Sequence, residues 1–385
     1  MAKCGLGWIN KQHGSLAWGA VLVLVGPLLS PVGGPLIQAQ ETRQRSAPTL
    51  YVNPRAGSDR NFGSESSPYK TITRALQSVQ PNGTIILAPG TYSQNSGEIF
   101  PLILDRAVKL QGNVKERGRN VNLEGSGVFL SPTTAAQQVT LVATAVAEIT
   151  GITLINSHPR GYGLWIESAS PEVNSNTFSK NPSAAIAIVG DSRPQIGNNS
   201  ITGSDGSGIW VNGTAQPQIR DNLVAESDYG ISIADRALVH LESNQLKGNR
   251  IGTLAAGQSR AVLRGNVIEN SREAGVMAVA AAQLDLGTAA DPGGNIFRNN
   301  QGFDLQNRSQ SPIASAGNQL SGRTDGKISL ATADTESRTN TPPRTANPPL
   351  NELDFRQVET RPANPPASPL AQTAPPFPPA QPQPP

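Results

Sequence analysis

Asparagine recurs at Asn176, Asn199, Asn222, Asn244 and Asn266, at intervals of 23, 23, 22 and 22 residues. Five residues before each stand Pro171, Pro194, Pro217, Val239 and Ala261, and two residues after each stand Phe178, Ile201, Val224, Leu246 and Ile268. A further column, Gly163, Ala185, Gly208, Gly230, Gly252 and Gly275, keeps the same register and precedes a short apolar strand in most repeats. Units this short cannot bury an apolar face alone, so a chain with this period is confined to stacking them. Period-two alternation points Val173, Ile196, Ile219, Leu241 and Leu263 inward, with Leu164 and Ile166, Ile186 and Ile188, and Ile209 and Val211. The expected fold is an all-β solenoid, a parallel β-helix whose coils rise by about 4.8 Å. The 4% aromatic content and 38 glycines suit such thin aliphatic layers joined by turns.

The repeated asparagine is expected to be a structural ladder rather than a channel or metal site. A tight coil turn favours a residue that tolerates positive φ, and asparagine does so better than most. Turned inward, its amide can donate to the carbonyl of the asparagine one coil on, which satisfies a buried polar group.

Ahead of the repeats, Leu50-Tyr51-Val52 reads as a strand, and Gly57, Asp59, Asn61 and Gly63 mark a turn-rich loop. A short helix follows Ser67-Pro68, with Ile72, Ala75, Leu76 and Val79 on one face. Pro81-Asn82-Gly83 breaks it before a strand at Thr84 to Leu87, and Pro89-Gly90-Thr91-Tyr92 turns again. The string YVNPRAGSDRNFGSESSPYKTITRALQSVQPNGTIILAPGTY resembles the opening of bacterial right-handed β-helix proteins of the pectate-lyase-like fold. It is most similar to a bacterial group defined by a domain of unknown function. The resemblance implies that the helix plugs the N-terminal end of the coil stack and that Gly-Thr-Tyr begins the first full coil. It says little about activity, because lyases, epimerases and non-enzymes share the motif.

Residues 1–39 read as an export signal: Lys3 and Lys11 are the only charges before Glu41, and an apolar run extends from Leu16 to about Leu29. Pro27, Pro31 and Pro35 interrupt the continuation, which suits a signal better than a membrane span, although an uncleaved anchor is the alternative. Residues 40–48 read as a linker, 49–320 as the β-helix, and 321–385 as a disordered tail with 15 prolines from Pro342 onward. The coil at Asn295 arrives 29 residues after Asn266, which predicts an inserted loop within Gly287 to Gly294. Removing residues 1–39 lowers the formal charge from +3 to +1, and no Lys/Arg-rich run is present. That pattern argues against a nucleic-acid partner. The single cysteine, Cys4, falls in the signal, so neither disulfides nor thiol chemistry are expected of the mature chain. The expected location is outside the cytoplasm: periplasmic, cell-surface or extracellular. Once the signal is cleaved the protein should not be integral to a membrane. The partner of the tail stays open.

No HExxH, CxxC, GxSxG or phosphate-binding glycine loop occurs, and no cofactor or metal is expected. His158 and His240 are the only histidines after the signal, and no acidic spacing ties them into a triad. The acids Asp191, Asp205, Asp228 and Asp235 occupy non-equivalent positions, and the outward column Glu172, Gln195, Gln218, His240, Val262 holds a single carboxylate. Trp165 and Trp210 share one repeat position two coils apart, pointing outward, with Ala187 between and Glu167 and Asn212 beyond them. At roughly 9 to 10 Å along the axis they form a candidate sugar platform. The alternative is that a loop or the tail covers them. The expectation is an exported, non-catalytic β-helix that binds or organises polysaccharide, with a polysaccharide lyase or glycoside hydrolase, or a purely structural envelope protein, as rivals.

Overall fold

The computed structural model describes residues 48–331. They form a right-handed parallel β-helix: three long sheets of 12, 9 and 11 strands run along one axis, and most coils contribute a strand to each sheet. Adjacent coils pair in parallel. Glu172, Val173 and Asn174 lie beside Gln195, Ile196 and Gly197, which lie beside Gln218, Ile219 and Arg220. The inward residues read from the alternation all belong to one continuous buried core, as do Phe178, Ile201, Val224, Leu246 and Ile268.

The N-terminal helix spans Ile72–Ser78, and Thr71 caps it by accepting from the Arg74 amide at 3.0 Å. Ile72, Ala75 and Val79 are buried against the core, and Leu76 packs on it. The buried Glu98, from the loop after the first coil, reaches back to the helix start. Its carboxylate accepts from the amides of Ile72 (2.6 Å) and Thr73 (2.9 Å) and from the Thr73 hydroxyl (2.7 Å). Those amides have no partner within the helix, so the loop and the plug fix one another.

The asparagine ladder is present, with a different backbone basis from the one expected. Positive φ falls on the residue before each asparagine: Ser175, Asn198, Asp221, Ser243 and Gly265, at 53° to 63°. The asparagines themselves have ordinary backbone angles and turn inward. Each Nδ2 donates to the Oδ1 of the next coil, from Asn176 to Asn199 (3.1 Å), Asn222 (3.0 Å), Asn244 (3.0 Å) and Asn266 (3.0 Å). The ladder continues to Asn295 (2.9 Å) and Asn318 (2.8 Å). Each Oδ1 also accepts the backbone N–H of the preceding asparagine, and each Nδ2 donates again to a strand carbonyl, as Asn222 does to Ile196 at 2.9 Å. Every polar atom of the amide is therefore used.

A second buried polar column was not foreseen: Asn156, Asn181, Ser204, Ser227, Asn249, Ser271 and Asn300, at the following corner. From Asn181 onward each member lies five residues after a ladder asparagine. The alternation of asparagine with serine hid it. The neighbouring glycine column is needed for close approach: a Cβ on Gly230 would sit 2.5 Å from the Gly252 carbonyl oxygen.

One boundary differs from expectation, and one feature was not anticipated. The solenoid does not end near Leu320, because strands Thr324–Gly326 and Ile328–Ala331 add to two sheets. A hairpin also interrupts the early coils: Gly127–Leu130 pairs antiparallel with the start of Ala136–Ala143. The predicted loop before Asn295 is there, closed by a bridge between Gly287 and Pro292. The expected signal at 1–39, the expected linker except Pro48, and the expected tail beyond Ala331 lie outside the described residues.

Candidate functional site

The tryptophan stripe sits on the outer face of the eleven-stranded sheet, where Trp165, Ala187 and Trp210 occupy adjacent registers. Both indoles leave the coil outward, as expected, but they do not form an open platform. Trp165 is fully buried, in a separate apolar cluster with Val139, Val142, Ala187 and Val189, under Phe129 from the inserted hairpin. Its Nε1–H donates to Glu167 Oε2 at 2.9 Å. Glu167 is buried too, and its carboxylate accepts from Ser131 Oγ (2.5 Å) and Thr133 Oγ1 (2.7 Å). The loop joining the hairpin strands is thus held over the stripe by the very carboxylate expected to meet a sugar.

Trp210 is half-buried, with its ring centroid 6.0 Å from that of Trp165 rather than two full coil steps away. Tyr162 completes the group, edge-on to Trp165 at 5.0 Å. Asn212 is half-buried and accepts from the Gly213 amide. Of the four expected residues, Trp165 and Glu167 belong to a closed internal cluster, and only Trp210 and Asn212 reach solvent.

A more open arrangement lies on the outer face of the twelve-stranded sheet. Gln195, Gln218 and His240 fall at one register position in three successive coils. With Arg193, Gln216 and Leu238 they line a groove of about 240 Å³. A second groove of about 250 Å³ continues it, lined by Gln218, Ile219, Arg220, His240 and Glu242. The polar side chains are exposed, and among the described residues those of Arg193, Gln195, Gln216, Gln218, Arg220 and His240 donate no hydrogen bond to the protein. The fold holds the backbone of these three coils at fixed spacing while leaving a row of amide, guanidinium and imidazole donors unspent. The same outward column, Glu172, Gln195, Gln218, His240, Val262, is visible in the sequence, where its single carboxylate gives no catalytic signal. What the column offers is an uncharged, repeated hydrogen-bonding character.

Among the described residues no group of three or more His, Cys, Asp or Glu side chains is placed to hold a metal ion. Charged pairs gather instead toward the C-terminal half, where Arg250 bridges Asp228 and Glu273 across coils and Arg264 bridges Asp285 and Asp291.

A family model described as a protein of unknown function, DUF1565, matches residues 55–324. The chain belongs to that family. No curated protein matches it. Among solved structures, this DUF1565 chain is similar to XylC in complex with xylose, with a TM-score of 0.52 at 12% identity over 72% of this chain and 69% of the other. It is similar to the same degree to an alginate lyase from Paenibacillus sp. str. FPU-7, at 15% identity over 73% of this chain and 99% of the other. At these identities the likeness shows the shared parallel β-helix, in agreement with the fold that the repeats and the N-terminal motif pointed to.

Proposed function

We propose that this protein is an exported, non-catalytic β-helix that binds an extended polysaccharide along the outer face of the twelve-stranded sheet. The observation that carries this reading is the row Gln195, Gln218 and His240, flanked by Arg193, Gln216 and Arg220. Equivalent donors recur at the coil rise of about 4.8 Å, which is comparable with the advance of an extended pyranose chain. A periodic wall of donors and acceptors suits a periodic ligand, since each sugar meets the same chemistry as the one before it. Two solved neighbours whose names mention a sugar or a polysaccharide, xylose and alginate, lend support at the level of ligand class. Trp210 and Tyr162, on the other sheet, remain a smaller secondary surface.

One observation favours a catalytic alternative: Arg220, His240 and Glu242 share the second groove. A base beside a cation is what β-elimination next to a uronate requires, and a carboxyl with a neighbour could serve hydrolysis. The two readings separate in one experiment. Glycan-array binding followed by titration should give a polysaccharide ligand whose affinity falls about 5- to 30-fold in Gln218→Ala and in His240→Ala, the loss of roughly 1 to 2 kcal/mol typical of a well-placed contact. Unsaturated products or new reducing ends on incubation with that ligand would replace the binding reading with the enzymatic one. No binding to any glycan would leave the structural-envelope reading.

A further inference from the structure

Nine large apolar side chains are exposed among the described residues, and seven of them lie between Phe62 and Val146, in the first coils. Phe62 is 87% exposed, Leu130 75% and Ile99 69%. Several are brought together. Phe100, next to Ile99, packs where a Cβ on Gly125 would sit, beside the strand carrying Val128 and Leu130. Ile103 lies on the last strand of the same sheet, in register with Val142. Ile99 donates its backbone N–H to Thr73 Oγ1, in the first turn of the plug helix.

Charge is divided along the same line. Residues 48–120 hold nine basic and five acidic side chains, a net of +4; residues 121–331 hold fourteen and seventeen, a net of −3. Of the nine bases, only Arg106 and Lys109 form ion pairs among the described residues, and Arg55, Arg60, Lys70, Arg74, Lys115 and Arg119 are exposed. Arg60 neighbours Phe62, while Lys70 and Arg74 flank the start of the plug helix beside Ile99.

We infer that the N-terminal end of the solenoid is a docking surface for an anionic lipid bilayer. Exposed apolar side chains on coils that carry an excess of cations without ion pairs match the two terms of peripheral membrane binding, insertion below the headgroups and attraction to anionic lipid. Among the described residues no helix is long and apolar enough to cross a membrane.

The test uses the full chain with Cys4→Ser and a single spin label at Ile99→Cys or, at the opposite end, at Asp325→Cys. Accessibility to an aqueous relaxation reagent is measured with phosphatidylglycerol vesicles and with phosphatidylcholine vesicles. The expected result is a several-fold loss of accessibility at residue 99 with phosphatidylglycerol only, no change at residue 325, and reversal by high salt or by Arg60→Glu with Lys70→Glu and Arg74→Glu. A chain that sediments with vesicles while residue 99 stays fully accessible would overturn the proposal, because the N-terminal segment alone would then be the anchor. Protection of residue 99 without vesicles, with a doubled mass in scattering, would overturn it in favour of a second copy on this surface.

Discussion

At the scale of single residues, the ladder asparagines show how much one side chain can be asked to do. The Asn222 side chain makes five hydrogen-bond contacts: its Oδ1 accepts two from Asn199, and its Nδ2, with two hydrogens to share, lies within reach of the Ile196 and Arg220 carbonyls and Asn244 Oδ1. Replacing it with leucine strands the Asn199 donors and two carbonyl acceptors in a dry interior. Chemical denaturation should show Asn222→Leu losing at least about 1 to 3 kcal/mol, the cost of leaving a buried group unpaired. A neutral substitution would mean that the column does not stabilise the stack. The column was legible in the sequence because one residue type repeats. The backbone role was misread because positive φ is delivered one position earlier by Ser175, Asn198, Asp221, Ser243 and Gly265, a mixed set with no single-letter signature.

Glu98 is the other residue whose placement matters. Burial pushes its carboxyl above the ordinary glutamate range; the Thr73 hydroxyl and the amides of Thr73 and Ile72 oppose the shift, and Asp59 reinforces it. A raised folded-state value means that the folded chain holds this proton more tightly than the unfolded one. The resulting stabilisation is complete below the ordinary glutamate value and is lost as pH rises through the folded one. Stability of the wild type relative to Glu98→Gln should therefore decline across that window. Parallel pH profiles for the two proteins would show that burial does not control this group.

At the scale of elements, the inserted hairpin decides the fate of the tryptophan stripe. Leu110 and Ile149 are register partners 39 residues apart, sixteen more than a 23-residue coil; the asparagine column starts only at Asn176, so the sequence offers no repeat against which this insertion could be read. Where those residues fold was not readable, because covering a neighbouring coil depends on Phe129 meeting Trp165 and on Ser131 and Thr133 meeting Glu167, contacts without local periodicity. With Trp8→Phe and Trp18→Phe removing the other indoles, Trp210→Phe should leave a blue-shifted, quencher-resistant emission from Trp165. Adding Phe129→Ala should move that emission toward the red and open it to quenchers. Emission characteristic of water before the hairpin is altered would contradict the cover.

At the scale of the whole molecule, coil period, inward faces and plug helix were legible because each repeats or is fixed by local spacing. The groove on the twelve-stranded sheet was less so, since its chemistry is spread over three coils and emerges only when Gln195, Gln218 and His240 are stacked. That stacking also supplies the central claim, that a repeating wall binds a repeating ligand. The most direct test is affinity as a function of oligosaccharide length, once the glycan is known from the array. Three coils line the first groove, two steps of about 4.8 Å, so affinity should climb with each added sugar over the first three or four units and then level off, with His240→Ala shortening the climb. Affinity that is already complete for a single sugar, or that is unaffected by length in both proteins, would contradict the account.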